Sequence, residues 1–172
     1  MNNTVGNSGF QNNRSLDSEL LAHLAQVDTN VGLTELDAFG LSTPQSVSQL
    51  ALTALDNAEI DPSVAKHLLA LAVALNRTLG EPLTQRGEIS YAQARLYLQE
   101  GNLSLAETAL RAAQSAWDES HDLAALARSR LGLTQLLTLQ GRYGEAEQTC
   151  RQAIAELEKL AFDNIQFAIP LI

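Results

Sequence analysis

The sequence predicts an all-α protein built from antiparallel pairs of helices that repeat along the chain. Three observations support this prediction: the apolar residues are mostly Leu and Ala, residues that start and stop helices recur at regular intervals, and part of the chain repeats itself at a spacing of 40 residues. Leu and Ala favour helices because they lose little side-chain entropy there. Aromatic residues make up only 5% of the chain. The composition therefore favours helices throughout.

The first 42 residues carry the weakest helical signals. Residues 1–14 are rich in Asn, Gly and Ser and hold too little apolar surface to offset the entropy lost on ordering, so we expect them to be disordered. Residues 15–42 are predicted to form short helices and a linker. Within this stretch Gly32 is interpreted as a break, and one interpretation of the residues after it is a short helix from Thr34.

Longer helices are predicted from residue 43 onward. Thr43-Pro44 and Asp61-Pro62 are typical helix starts, because the first residue of each can cap the helix and proline has no N–H to leave unpaired. Glycines are expected to end helices in the left-handed conformation, and the short turns make sequential helices antiparallel. The predicted repeats span residues 43–80, 81–120 and 121–160, with the start of another at 163.

The repeat is clearest between the segments that begin at Tyr91 and Leu131. The residues that align at a spacing of 40 include Gly101 with Gly141, Ala106 with Ala146, Leu110 with Cys150 and Ala113 with Ala153. Small side chains let neighbouring helices approach to about 8–10 Å. A helix pair cannot bury its apolar face alone and stacks on the next pair. We therefore expect Ala106 and Ala146 to be buried where helices cross.

This pattern resembles the tetratricopeptide-repeat (TPR) family, in which a small and a large residue in the first helix precede a turn glycine and two alanines seven apart. The matching positions are Ala94, Tyr97, Gly101, Ala106 and Ala113, then Leu137, Gly141, Tyr143, Ala146 and Ala153. The resemblance covers about residues 62–172, with a degenerate repeat from 43. It implies a right-handed superhelical array of antiparallel helix pairs, a TPR-like α-solenoid.

The sequence departs from the family pattern at two points. The spacing is 40 residues, whereas about 34 is usual, and Thr134 stands where a small residue is expected. The longer spacing resembles the repeats of bacterial regulators of the maltose-activator type, whose arrays lie beside an output domain. HEAT-like repeats have a similar length and are the main structural alternative.

The sequence contains no recognisable catalytic group, so we predict a binding protein and not an enzyme. The three histidines, His23, His67 and His121, are far apart, and none has a second metal ligand at helical spacing. Phosphate-binding loops, nucleophile elbows and zinc-protease motifs are also missing from the sequence. We therefore predict no catalytic residues, no metal site and no cofactor. Cys150 is interpreted as a small core residue.

The TPR resemblance places the binding surface on the concave side, which the first helix of each pair lines. The positions carried over are Tyr91, Arg95, Gln99, Arg128 and Gln135, with Glu88, Leu131 and Leu139 beside them. Tyr91, Arg95 and Arg128 would form a mildly basic, partly aromatic groove for an acidic or extended peptide. The alternative is that all are ordinary surface residues. The family's carboxylate clamp is not expected, because Tyr91 and Arg95 replace its Lys and Asn.

Charge and composition limit the expected partners. A net charge of −9 without a Lys/Arg cluster disfavours nucleic acids and anionic membranes. One cysteine, the lack of an apolar run of ~18–20 residues and the lack of a secretory signal favour a cytoplasmic protein. We expect a scaffold that binds a partner protein or peptide. The alternative is a sensory or regulatory segment of a larger bacterial signalling or transcription-regulating protein, and self-association through the apolar C-terminal end is also open.

Overall fold

The computed structural model describes the backbone of residues 15–168 and the side chains as far as residue 161. The predicted disorder of residues 1–14 lies outside this range. Within it the chain forms eight helices: α1 (Ser18–Leu24), α2 (Thr29–Ala38), α3 (Pro44–Asn57), α4 (Pro62–Thr78), α5 (Leu83–Gln99), α6 (Leu103–Glu119), α7 (Leu123–Leu139) and α8 (Tyr143–Ala168).

The helix ends follow the local chemistry of the sequence. The side chains of Thr43 and Asp61 accept hydrogen bonds from the first-turn backbone N–H groups of α3 and α4, and a proline follows each cap. Beyond the ends of α4, α5 and α7, Gly80, Gly101 and Gly141 adopt φ values of 80°, 72° and 75°. A Cβ would oppose this left-handed conformation, so the glycines allow the tight turns.

The interpretation of Gly32 as a helix break was wrong, because Gly32 lies inside α2. This helix begins at Thr29, after the cap Asp28, and runs through Gly32 without a break. A Cβ on Gly32 would lie only 3.2 Å from the side chain of Leu71 in α4. The absence of a side chain at Gly32 therefore allows α2 and α4 to pack closely, and this glycine does not end a helix.

The second difference lies in α8, which continues without interruption through Asp163 to Ala168. The start of a separate helix was predicted at 163. Residues 160–162 are Leu, Ala and Phe, and none of them is a helix breaker of the kind that ends the earlier helices.

The helices pack mostly with their neighbours along the chain. Three antiparallel pairs, α3/α4, α5/α6 and α7/α8, come one after another, and consecutive pairs meet through α4 and α5, through α6 and α7, and through α3 and α5. Helix α2 packs on α4. This arrangement is a helical array consistent with a helical repeat. No helix in the described part of the chain is long and apolar enough to cross a membrane.

The alanines predicted at the helix crossings are buried. Ala106 and Ala113 are 0% exposed, and Ala146 and Ala153 are 4% and 0% exposed. Cys150, in contrast, is only half-buried, although the aligned Leu110 is 1% exposed. The repeated small residues therefore lie at the contacts within the array, as the spacing predicts.

Candidate functional site: a groove across three helix pairs

A groove of about 320 Å³ crosses the first helices of the three pairs. Most of its lining residues belong to α3 and α5, while α7 contributes Arg128 and the buried Trp117 of α6 contributes to its floor. The lining residues are Gln45, Ser48, Gln49, Ala51, Leu52, Leu55, Glu88, Tyr91, Ala92, Trp117 and Arg128. The volume is within the range of ordinary ligand pockets. We call this feature the α3/α5/α7 groove.

The apolar part of the groove centres on two aromatic rings. The ring centroids of Tyr91 and Trp117 are 5.7 Å apart, with an angle of 49° between the planes. Leu52 of α3, which also lines the groove, is 58% exposed. The position of Trp117 depends on Gly87, because a Cβ on that glycine would lie 2.4 Å from the indole Nε1. The absence of a side chain in α5 thus makes room for the floor of the groove.

The polar part of the groove is organised around the carboxyl group of Glu88. Burial raises its pKa, and so does the charge of Asp122, whereas a hydrogen bond with Ser48 and the charge of Arg128 lower it. The Ser48 hydroxyl also accepts a hydrogen bond from Gln85 Nε2 at 3.2 Å. Glu88 Oε2 is buried and has no hydrogen-bond partner among the described residues. The groove therefore holds an unsatisfied acceptor, which costs free energy until a donor reaches it.

The structure brings together only part of the predicted site. Tyr91 and Arg128 line the groove, together with Glu88. Arg95 lies outside it, with its guanidinium 3.3 Å from Glu59, and Gln99 donates a hydrogen bond to the same carboxylate at 3.1 Å. The charge of Arg95 is therefore compensated locally. Of the two arginines predicted to make the groove basic, only Arg128 lines it, and the charge of Arg128 lowers the pKa of Glu88.

The remaining predicted residues lie further along α7. Gln135 is exposed but does not line the groove. Leu131 and Leu139 are 42% and 60% exposed. Leu131 and Leu139 are eight residues apart, about two helical turns, and Gln135 lies midway between them, so this part of α7 exposes both apolar and polar side chains.

The contributions of α3 and α6 to the groove were not predicted from the sequence. Helix α3 lies in the predicted degenerate repeat, to which the TPR resemblance assigns no binding residue, so the sequence does not indicate a role for Leu52. Trp117 belongs to the second helix of its pair, which the TPR frame does not assign to the concave surface. Gly87 is the signal that could have revealed it, because a glycine inside a helix often marks a close approach.

In the described part of the chain, no group of three or more His, Cys, Asp or Glu side chains is placed to hold a metal ion. Comparison with protein-family models finds no match, and comparisons with curated proteins and with solved structures find no significant match.

Proposed function

We propose that this protein is an interaction scaffold whose TPR-like helix pairs form a right-handed array and bind a partner protein or peptide in the α3/α5/α7 groove. The observation that carries the proposal is the groove itself, in which the exposed Leu52 stands beside Tyr91 and the buried Trp117. Exposed apolar side chains in a concave surface are typical of binding sites. The alanines at the crossings and the order of helix contacts support the repeat architecture.

The contacts favour a peptide with an apolar anchor over a strongly acidic one. Arg95 is engaged by Glu59, which leaves Arg128 as the cation of the groove, opposite the carboxyl group of Glu88. Leu52, Leu55 and Tyr91 line the groove together with Trp117, and apolar or aromatic anchors that fill such pockets contribute much of the affinity of an interface. Glu88 Oε2 would accept a hydrogen bond from a backbone or side-chain donor of the peptide. We therefore propose an extended peptide with one aliphatic or aromatic anchor.

A selection from short random peptides displayed on phage tests this proposal. The affinities of the selected peptides are measured for the wild type and for Leu52→Asp, with Leu105→Asp as the matched control. Leu105 is also exposed, at 44%, but does not line the groove. We expect Leu52→Asp to weaken binding about tenfold or more, which is ~1.4 kcal/mol, and Leu105→Asp to leave it unchanged. Equal losses of affinity in both variants, or no loss in either, would contradict peptide binding in the groove.

The second candidate is a sensory or regulatory segment of a larger bacterial signalling or transcription-regulating protein. The 40-residue spacing favours it, because this length resembles the repeats of maltose-activator-type regulators. In that case, occupation of the groove should alter α8, at the far end of the array. Amide hydrogen exchange of α8 with and without a selected peptide separates the candidates: altered exchange supports a regulatory segment, and unaltered exchange supports a plain scaffold.

A further inference from the structure

Three helices carry an equivalent row of four positions, and in α4 and α6 residues of this row contact the next helix pair. We call these four positions the inter-pair row. Their spacing of three, four and three residues places them along one face of a helix. The row consists of Lys66, Leu69, Val73 and Asn76 in α4, of Glu107, Leu110, Gln114 and Trp117 in α6, and of Glu147, Cys150, Ile154 and Leu157 in α8.

The row is covered in α4 and α6 and open in α8. Leu69 is 5% exposed beneath α5, and Leu110 is 1% exposed beneath α7. In α8, Ile154 and Leu157 are 47% and 40% exposed, and Cys150 is only half-buried. The row of α8 is also more apolar than that of α6, because Ile154 replaces a glutamine. Helix α8 thus presents an apolar ridge that no helix of the described residues covers.

In α4 and α6 the first position of the row pairs with an opposite charge just beyond the C-terminus of the helix that packs on it. Lys66 of α4 pairs with Glu100, just beyond the end of α5, at 2.5 Å. Glu107 of α6 pairs with Arg142, just beyond α7, at 2.9 Å, and accepts a hydrogen bond from Gln140 at 3.1 Å. The row residue is basic and its partner acidic at the first interface, whereas the row residue is acidic and its partner basic at the second. Opposite charges at the rim of an interface select the partner and its orientation.

Helix α8 repeats the acidic version of this position. Glu147 forms an ion pair with Arg151 at 2.5 Å, as Glu107 does with Arg111 at 2.7 Å. Among the described residues, Glu147 lacks the second, inter-helix partner that Glu107 has in Arg142. The end of an arriving helix would therefore be basic, as in α7, because an acidic end like that of α5 would be repelled by Glu147.

We propose that the inter-pair row of α8 binds an amphipathic helix of a partner protein, and that this helix has aliphatic residues on one face and an arginine or lysine at its C-terminal turn. The two internal interfaces provide both elements of the recognition, an apolar ridge and one opposite charge. No residue of α8 lines the α3/α5/α7 groove, so each proposal can be tested without the other.

Two helices of the chain itself supply matched probes. The first is a fluorescent peptide of residues 122–143, which includes Arg142, and the second is a peptide of residues 82–103, which ends near Glu100. Both are held helical by a hydrocarbon staple on the face away from the ridge. Binding to the whole protein is measured by fluorescence anisotropy. We expect the first peptide to bind saturably and the second to bind more weakly.

Charge reversal makes the test specific. Arg142→Glu in the first peptide should weaken binding about fivefold, and Glu147→Arg in the protein should restore it. Ile154→Asp should abolish binding, while Leu105→Asp, at an exposed leucine of α6, should not affect it. Both altered positions of α8 are exposed, so the variants are expected to fold, and circular dichroism checks this.

The proposal is overturned if neither peptide binds saturably, or if the affinity does not respond to the charge reversals. It is also overturned if light scattering shows a stable dimer that Ile154→Asp converts to monomer and that excludes the peptide. In that case a second copy of the chain, and not a partner helix, would occupy the ridge.

Discussion

Helices α6 and α8 align at a spacing of 40 residues, yet their outer faces have different environments. Leu110 and Trp117 of α6 are 1% and 4% exposed, because α5 and α7 pack against this helix. The aligned residues of α8 are Cys150, which is half-buried, and Leu157, which is 40% exposed. In a stacked array each unit contacts only its neighbours. A position is therefore core or surface according to whether a further helix packs over it.

The largest expected effect is the loss of a side chain that neighbours cover. Trp117→Ala removes a nearly fully buried indole and should lower the free energy of unfolding by ~3–5 kcal/mol. Leu157→Ala, at the aligned position of α8, should cost less than about 1 kcal/mol, because the side chain is already partly in water. Urea unfolding of both variants measures the difference. Similar costs would mean that α8 is covered as fully as α6.

Two glycines inside helices offer the next contrast. Gly87→Ala places a methyl group 2.4 Å from Trp117 Nε1 and should cost ~1–3 kcal/mol through overpacking. Gly144→Ala, in the first turn of α8, meets no atom within 4 Å and should raise stability by up to ~1 kcal/mol, because alanine favours the helix. Thermal unfolding of the two variants should therefore shift in opposite directions. If Gly144→Ala were destabilising, another part of the protein would have to lie against α8 at this position.

The smallest effect concerns pH and the ion pairs between α6 and the turn after α7. The Arg111 hydrogen bond, with further bonds from Gln140 and Arg142, lowers the pKa of Glu107 from 4.5 to about 2. A lowered pKa in the folded state gives stability that is present above pH 4.5 and is lost as the pH falls towards 2. Because the network is partly exposed, we expect a contribution of about 1 kcal/mol.

The comparison of Glu107→Gln with the wild type measures this contribution. The variant should be less stable at pH 6, and the gap should close as the pH falls through the range below 4.5, which urea midpoints at several pH values would record. Glu147→Gln serves as the control, because the ion pair of Glu147 with Arg151 is exposed on α8. A gap for Glu107→Gln that stays constant with pH would contradict the role of the charge network.

Most of the architecture could be predicted from local signals. The caps at Thr43 and Asp61, the turn glycines and the alanine spacing depend on neighbouring residues in the sequence or on the repeat, and each appears where it was expected. Gly32 was misinterpreted because a glycine that breaks a helix and one that admits another helix look alike in sequence. The distinction depends on Leu71, which is remote along the chain.

The groove was harder to predict, because its character arises from contacts between distant residues. Tyr91 and Arg128 could be placed from the repeat frame. The pairing of Arg95 with Glu59 could not be foreseen, since Glu59 belongs to the turn before α4 and no repeat position links the two. The placement of Trp117 above Gly87 likewise joins two helices. Local sequence predicts helices well, but the charge and the shape of a groove depend on tertiary packing.

Coverage by the next helix of the stack accounts for the different exposure of aligned residues such as Leu110 and Cys150. Amide hydrogen exchange measured by mass spectrometry tests it most directly, because protection reports the local free energy of opening. We expect slow exchange in α4 and α6, which have neighbours on both sides, and clearly faster exchange in α8. Equal protection of α6 and α8, or fast exchange throughout α6, would mean that coverage by a further helix does not explain the difference in burial.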